Sequence, residues 1–188
     1  MASTINSTTS SGVVITSDNT GQLQLQSAGT TVATITSTGM AVTGTVSATG
    51  NITTPNRSAF IAYLTADVTP AAGAFVVWNA TQLNTGSNFS TSTGKFTAPV
   101  SGLYWFNFIL SSPSSQTASM YFYLDINGTR TRDLIEGVTM STNTEIHSST
   151  IWYLNAGDVV GVVSGYGSWV VQGGNANFHS EFQGYLIG

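Results

Sequence analysis

Catalysis needs converging donors, and this chain of 188 residues has few: 8 Asp and Glu, 4 Lys and Arg, 2 His and no Cys. His147 and His179 each lie two residues from a glutamate, Glu145 and Glu181, so in a strand each pair shares a face. Two donors fall short of the three or four that a zinc site requires. Asp158, after Gly157, reads as a turn former rather than a further ligand. Ser164-Gly165-Tyr166-Gly167-Ser168 matches neither a nucleophile elbow nor a phosphate loop and reads as a flexible glycine-rich loop. The lack of cysteine excludes disulfides, thiolate metal sites and thiol nucleophiles. A glycan hydrolase would need two suitably spaced carboxylates in a cleft, and the few acids are scattered. The expectation is no enzyme, no metal and no cofactor.

Surface recognition is the chemistry left. Arg130, Arg132, Asp133 and Glu136 follow Asn127-Gly128. They read as a solvated hairpin strand whose cross-strand ion pairs are worth about 0–1 kcal/mol each, and Arg130 and Arg132 are kept as candidate surface-binding residues. Tyr166, Trp169 and Phe178 flank glycine-rich loops, where aromatics stack on sugars or proteins; packing in a core or interface is the competing expectation. A net charge of −4, with 6 % charged residues, argues against nucleic acid and anionic membranes as partners. No apolar run approaches the roughly 18 residues of a membrane-spanning helix. Met1-Ala2-Ser3-Thr4 has neither a basic nor an apolar leader region, so a secretory signal is not expected.

The elements that must position these residues fall into two segments. Residues 1–56 hold one charged residue, Asp18, no aromatic, and 23 Ser or Thr. Short clusters recur there between glycines: Val13-Val14-Ile15, Leu23-Gln24-Leu25, Val32-Ala33-Thr34-Ile35, Met40-Ala41-Val42 and Thr45-Val46-Ser47. They read as very short strands, each too small to bury its own face, so the segment orders by stacking on copies of itself or docking on another protein. Residues 57–188 carry every aromatic side chain. Strand-like runs at 59–64, 74–78, 102–110, 119–126, 145–154, 159–163 and 178–187, separated by Gly, Pro and Asn turns, predict an all-β sandwich or jelly roll.

Alternation assigns the faces. In the run 102–110, Tyr104, Phe106, Phe108 and Leu110 share one side, and Leu103, Trp105, Asn107 and Ile109 the other. A strand wetted on one side alternates apolar with polar; this one is apolar on both and must be covered twice. The run 145–154 behaves alike, with Trp152 and Leu154 opposite Ile151 and Tyr153. A sandwich of this size has one interior, so its second apolar face must meet another subunit or form an exposed patch.

Trp78-(five)-Asn84-(four)-Phe89-(six)-Phe96-(five)-Gly102-Leu103-Tyr104-Trp105-Phe106-Asn107-Phe108 resembles the spacing of C1q-like domains in the C1q/TNF superfamily, with Trp78 where that family usually has Phe. Further matches are Thr93-Gly94-Lys95-Phe96-Thr97-Ala98-Pro99, Asn127-Gly128, Leu154-Asn155-Ala156-Gly157-Asp158 and the ending Ser180-Glu181-Phe182-Gln183-Gly184-Tyr185-Leu186-Ile187. The resemblance implies a ten-stranded jelly roll that forms a homotrimer about a three-fold axis. Tyr104, Phe106 and Phe108, with Phe96, Trp152 and Leu154, would fill the protomer core. Trp105, Asn107, Ile109, His147, Ile151, Tyr153 and Phe182 would face the axis. Some relatives bind Ca²⁺ near the trimer apex, so the resemblance makes a receptor or calcium-proximal patch the alternative reading of Arg130, Arg132, Asp133 and Glu136, against the solvated strand above.

The first segment is similar to the low-complexity repeats near the start of bacteriophage tail-fibre and head-fibre proteins, as in Thr38-Gly39-Met40-Ala41-Val42-Thr43-Gly44-Thr45-Val46. A collagenous Gly-X-Y stalk, usual in secreted C1q-like proteins, is not seen. The two likenesses together imply a virion-surface protein: residues 1–56 a β-rich stalk or anchor on capsid or tail proteins, residues 57–188 an outward head. That head would adhere to a host-surface glycan or protein, or decorate the capsid.

Overall fold

The computed structural model describes residues 21–50, 57–167, 169–174 and 179–187. These are all strand, turn and coil, and no helix occurs among the described residues. They fall into two compact units that divide between Thr53 and Thr54.

The first unit is an antiparallel meander of β1 (Leu23–Ser27), β2 (Thr30–Thr36) and β3 (Gly39–Val42). Ala28 and Gly29 both take positive φ (51° and 77°), the two-residue turn geometry whose twist matches that of the flanking strands. Side-chain bonds such as Thr31 Oγ1 to Gln24 Oε1 at 3.2 Å link β1 and β2 on the surface. The cluster Thr45-Val46-Ser47 forms no strand, and Val13-Val14-Ile15 lies outside the described residues.

The second unit is a sandwich of two five-stranded sheets. Its strands are β4 Ala59–Tyr63, β5 Ala80–Thr85, β6 Phe89–Ser90, β7 Lys95–Thr97 and β8 Gly102–Ser111. They continue with β9 Gln116–Ile126, β10 Thr129–Met140, β11 Glu145–Leu154, β12 Val159–Ser164 and β13 Glu181–Leu186. One sheet runs β10-β9-β12-β7-β6 and the other β11-β8-β13-β4-β5. The crossovers between sheets give the strand order of a jelly roll. The expected run 74–78 forms only an isolated bridge, Phe75 to Val163, because residues 73–76 join the sheet edge beyond the short β7.

Between the sheets lies an aromatic core. Phe60 stacks on Phe89 and Phe96 at 4.7 and 5.0 Å, Phe182 on Phe106 at 5.9 Å, and Trp78 meets Phe108 edge-on at 5.9 Å. Tyr104, Phe96 and Leu154 are also buried there. Offset and edge-on pairs of this kind add about 0.5–1.5 kcal/mol beyond burial alone. Gly184 is required by this packing. A Cβ there would sit 2.6 Å from the Phe60 ring and 2.8 Å from that of Phe106.

Candidate functional site

Register on β8 places every residue of the sheet's outer face. Strand β11 runs along one side of β8, with Ile151 opposite Trp105, Ser149 opposite Asn107 and His147 opposite Ile109. On the other side, β13 sets Tyr185 opposite Trp105, Gln183 opposite Asn107 and Glu181 opposite Ile109. Beyond it β4 carries Ala59, Ile61 and Tyr63, and β5 carries Leu83. The face therefore has rows. Leu103, Tyr153, Ile151, Trp105 and Tyr185 make an apolar end, Ser149, Asn107 and Gln183 an amide and hydroxyl middle, and His147, Glu145 and Glu181 a titratable end.

The apolar end stands largely in water: Ile151 is 56 % exposed, Tyr153 59 % and Leu103 44 %. Trp105 packs on Tyr185 at 5.4 Å between ring centres. Beside them an open groove of about 320 Å³ is lined by Ala59, Ile61, Leu83, Trp105, Gln183 and Tyr185. Fully burying one side chain of this size is worth about 1.5–3 kcal/mol, so a contiguous set of them is a strong drive to association. At the titratable end His147 Nε2 lies 3.6 Å from Glu145 Oε2, both exposed. Among the described residues no three His, Cys, Asp or Glu side chains gather as metal ligands.

Three expected positions are corrected. Phe182 does not face outward. Strand β13 pairs it with Phe108 on the core side, and it is fully buried against Phe60, Trp78 and Phe106. The outward residues of that strand are Glu181, Gln183 and Tyr185. Trp152 is opposite Tyr104, on the core side as its alternation requires, but β11 is a sheet edge and leaves it 37 % exposed rather than in the core. Trp169 is not at the surface. Its indole is buried in the core, and Nε1 donates to the Ser119 carbonyl at 3.1 Å. Phe178 lies outside the described residues.

The outer face of the other sheet is polar and aromatic. Arg130 is exposed there on β10 and Tyr166 on the loop after β12, whereas Arg132, also exposed, pairs with core-facing Leu124 at the sheet edge. Arg130 grips Asp133 with two bonds, Nε at 2.8 Å and Nη2 at 2.6 Å, which hold the Asp133 carboxyl below its ordinary value. Burial, and then the bond from its hydroxyl to Asp133 at 3.0 Å, push the Tyr121 phenol up to about 12. Sequence reasoning passed over Tyr121 as a site residue, although its two-residue spacing from Tyr123 was a signal that the pair shares a face.

A second polar device holds the turns of this sheet. Asn127 and Gly128 take positive φ (54° and 80°), the favoured geometry of a two-residue hairpin. The Asn127 side chain donates to Asp158 and accepts from the Val159 amide, both at 2.8 Å. Asp158 also accepts the Asn155 amide at 2.8 Å, across the turn it closes. The bond from Asn127, then that from Asn155, lowers the Asp158 pKa.

Residues 59–187 match the C1q domain family. Mouse complement C1q tumor necrosis factor-related protein 3 is 29% identical over 112 residues, 60% of this chain and 44% of that protein. A subcomponent of rat complement C1q is 32% identical over 120 residues, 63% of this chain and 45% of that protein. The chain thus spans less than half the length of these relatives. Among solved structures, the globular domain of zebrafish complement 1qA superimposes with a TM-score of 0.56 at 20% identity, over 70% of this chain and 98% of that one. Murine APRIL at pH 8.5 does so with a TM-score of 0.52 at 16% identity, over 69% and 98%. At these identities the likeness to solved structures shows a shared jelly-roll fold.

Proposed function

Because the chain belongs to the C1q domain family, with residues 59–187 as its C1q domain, we propose that it is a non-catalytic, homotrimeric binding protein on the surface of a bacteriophage particle. Residues 57–188 are the outward head, and residues 1–56 are a stalk or anchor on capsid or tail proteins. The head adheres to a host-surface glycan or protein, and three-fold repetition turns weak contacts into avidity.

One observation carries the assembly: the half-exposed apolar end of the β8 face, which the protomer leaves uncovered among the described residues. Three such faces around an axis would bury Trp105, Asn107, Ile109, His147, Ile151 and Tyr153, with Gln183 and Tyr185 in place of Phe182. The virion reading is supported by the Ser/Thr/Gly-rich text of residues 1–56 and its likeness to phage fibre repeats. Sedimentation equilibrium should give three times the chain mass, and labelled antibody against the head should decorate intact particles. A stable monomer would overturn the assembly. A chain lacking residues 1–50 that still decorated particles would overturn the anchor.

The C1q domain is equally compatible with one other reading, a secreted or spore-surface C1q-like binding protein. Particles that lacked the protein while it appeared in culture medium or on spores would favour that reading. A purely bracing, cement role keeps the same trimer but predicts fragile particles with normal adsorption when the protein is missing.

A further inference from the structure

The outer face of β9 and β10 gathers a second group of side chains. Tyr121 is 7 % exposed, and its ring lies 5.5 Å from that of Tyr123 and 5.2 Å from that of Tyr166. It rests on Gly165, where an added Cβ would come within 1.7 Å of a ring carbon, so no larger residue fits. The Arg130 guanidinium lies over the Tyr121 and Tyr123 rings, 4.6 and 5.7 Å from their centres, while holding Asp133. Tyr166 stays 50 % exposed on its loop, whose backbone Ser164 Oγ fastens by donating to the Tyr166 carbonyl.

Tyr121 is a fixed base, and Tyr166 and Tyr123 present ring surface to water beside it. Arg130 carries five N–H donors and spends two on Asp133. Asp133 accepts three bonds where a carboxylate has about four lone-pair sites. Spare donors and a spare acceptor thus adjoin an aromatic surface, and the Arg130–Asp133 pair cancels its own charge. A ligand suited to this cluster is neutral, has one apolar face for the rings, and carries neighbouring groups that both donate and accept along an edge. A pyranose ring has these features: its C–H face stacks on aromatics, and its adjacent hydroxyls bond to a guanidinium and a carboxylate.

We infer that Tyr166, Tyr123, Arg130 and Asp133 form a binding site for a neutral hexopyranoside, with Tyr121 holding them in place. The site rests on the reading of the head as an adhesive module and gives that reading a ligand class. It lies on the sheet opposite the proposed assembly face, so three copies of it stay open in the trimer.

The test is saturation-transfer NMR on the full chain with the methyl glycosides of glucose, galactose and mannose, and a methyl sialoside as charged control. Saturation should pass to at least one neutral glycoside. Tyr166→Ala and Arg130→Met should each weaken that binding about tenfold, the loss expected for a central contact, with far-ultraviolet dichroism and sedimented mass unchanged. Transfer to none of the neutral glycosides, transfer to the sialoside alone, or transfer undiminished in both variants would overturn the site. The sedimented mass separates this failure from failure of the assembly, since a trimer that ignores neutral hexosides loses only the site.

Discussion

The two units use the same strand grammar with opposite results. In β1–β3 the alternation of Leu with Gln and of Val and Ile with Thr buries almost nothing. Ala33 is its one buried hydrophobic among the described residues, while Leu25, Val32, Ile35, Met40 and Val42 are exposed. In the head the same alternation seals Phe106, Phe108, Phe122 and Phe182 to 1 % exposure or less. Both have well-formed turns and long antiparallel pairings, unbroken between β2 and β3 and between β8 and β11 and with one register shift, at Leu25/Gln26, between β1 and β2. The difference is a second layer. Strand pairing is a local matter of turn residues and β-branched side chains, whereas a core needs another sheet to close on.

That contrast predicts the largest effects. Phe182→Ala empties the centre of the ring cluster and should cost about 3–5 kcal/mol in urea unfolding of the head. Ile35→Ala, on an exposed strand, should stay within about 0.5 kcal/mol. If Ile35→Ala proved as damaging as Phe182→Ala, the small sheet would be covered by another chain in the assembled protein, and the contrast would belong to the protomer alone.

The second effect is on assembly rather than folding. Trp105→Asp places a charge on the β8 outer face, where a protomer tolerates it in water but a contact would have to desolvate it, at several kcal/mol per ion. The expected variant keeps its far-ultraviolet dichroism and sediments as a monomer. A trimeric Trp105→Asp would show that the other sheet, or the first unit, makes the contact.

Much of this was readable in the sequence, and the misses have physical causes. The spacing around Trp78, Phe96 and the β8 run resembles that of C1q-like domains, and side-chain alternation separately assigned the two faces of β8. Phe182 went to the wrong face because phase was assigned without knowing which β8 residue it would pair with, and a one-residue slip inverts a whole strand. Trp152 was misplaced for another reason. Its phase is on the core side, but sequence does not reveal that β11 ends its sheet. Trp169 and Tyr166 are three residues apart on one loop, yet one is buried and the other exposed. Their fate depends on where the chain turns back over Ser119, a long-range fact with no local signal. The charges after Asn127-Gly128 were expected to pair across strands, but Arg130 holds Asp133 within β10; that pairing and the stacking on Tyr121 and Tyr123 depend on the register shifts in β10.

Acid should produce a smaller effect, confined to the head, where Asp133 on β10 and Asp158 in a turn both have lowered pKa values. Asp158 has a lowered pKa because Asn127 and the Asn155 amide bond to its charged form. A lowered folded pKa contributes stability that is present above the unfolded value near 3.8 and is lost as pH falls through the folded value. Thermal scans should therefore show the head losing stability below that value, with Asp158→Asn showing less of this loss. An identical acid dependence in Asp158→Asn would remove this carboxylate from the account. The first unit supplies the comparison, since residues 21–50 contain no ionisable side chain to titrate.

The smallest expected effect is that of salt. Screening weakens contacts between charges, and of the rows on the β8 face only the one at His147, Glu145 and Glu181 carries any. The Leu103, Tyr153, Ile151 and Trp105 end is apolar, and burial of such surface is strengthened rather than weakened by excluded salts such as sulfate. The sedimented mass should therefore hold from low salt to about 1 M sodium chloride, and sodium sulfate should favour the assembled form. Dissociation by sodium chloride alone would locate the contact at the titratable row. The exposed aromatic end would then need a different partner, and the contrast between the two units would no longer be one of apolar layers.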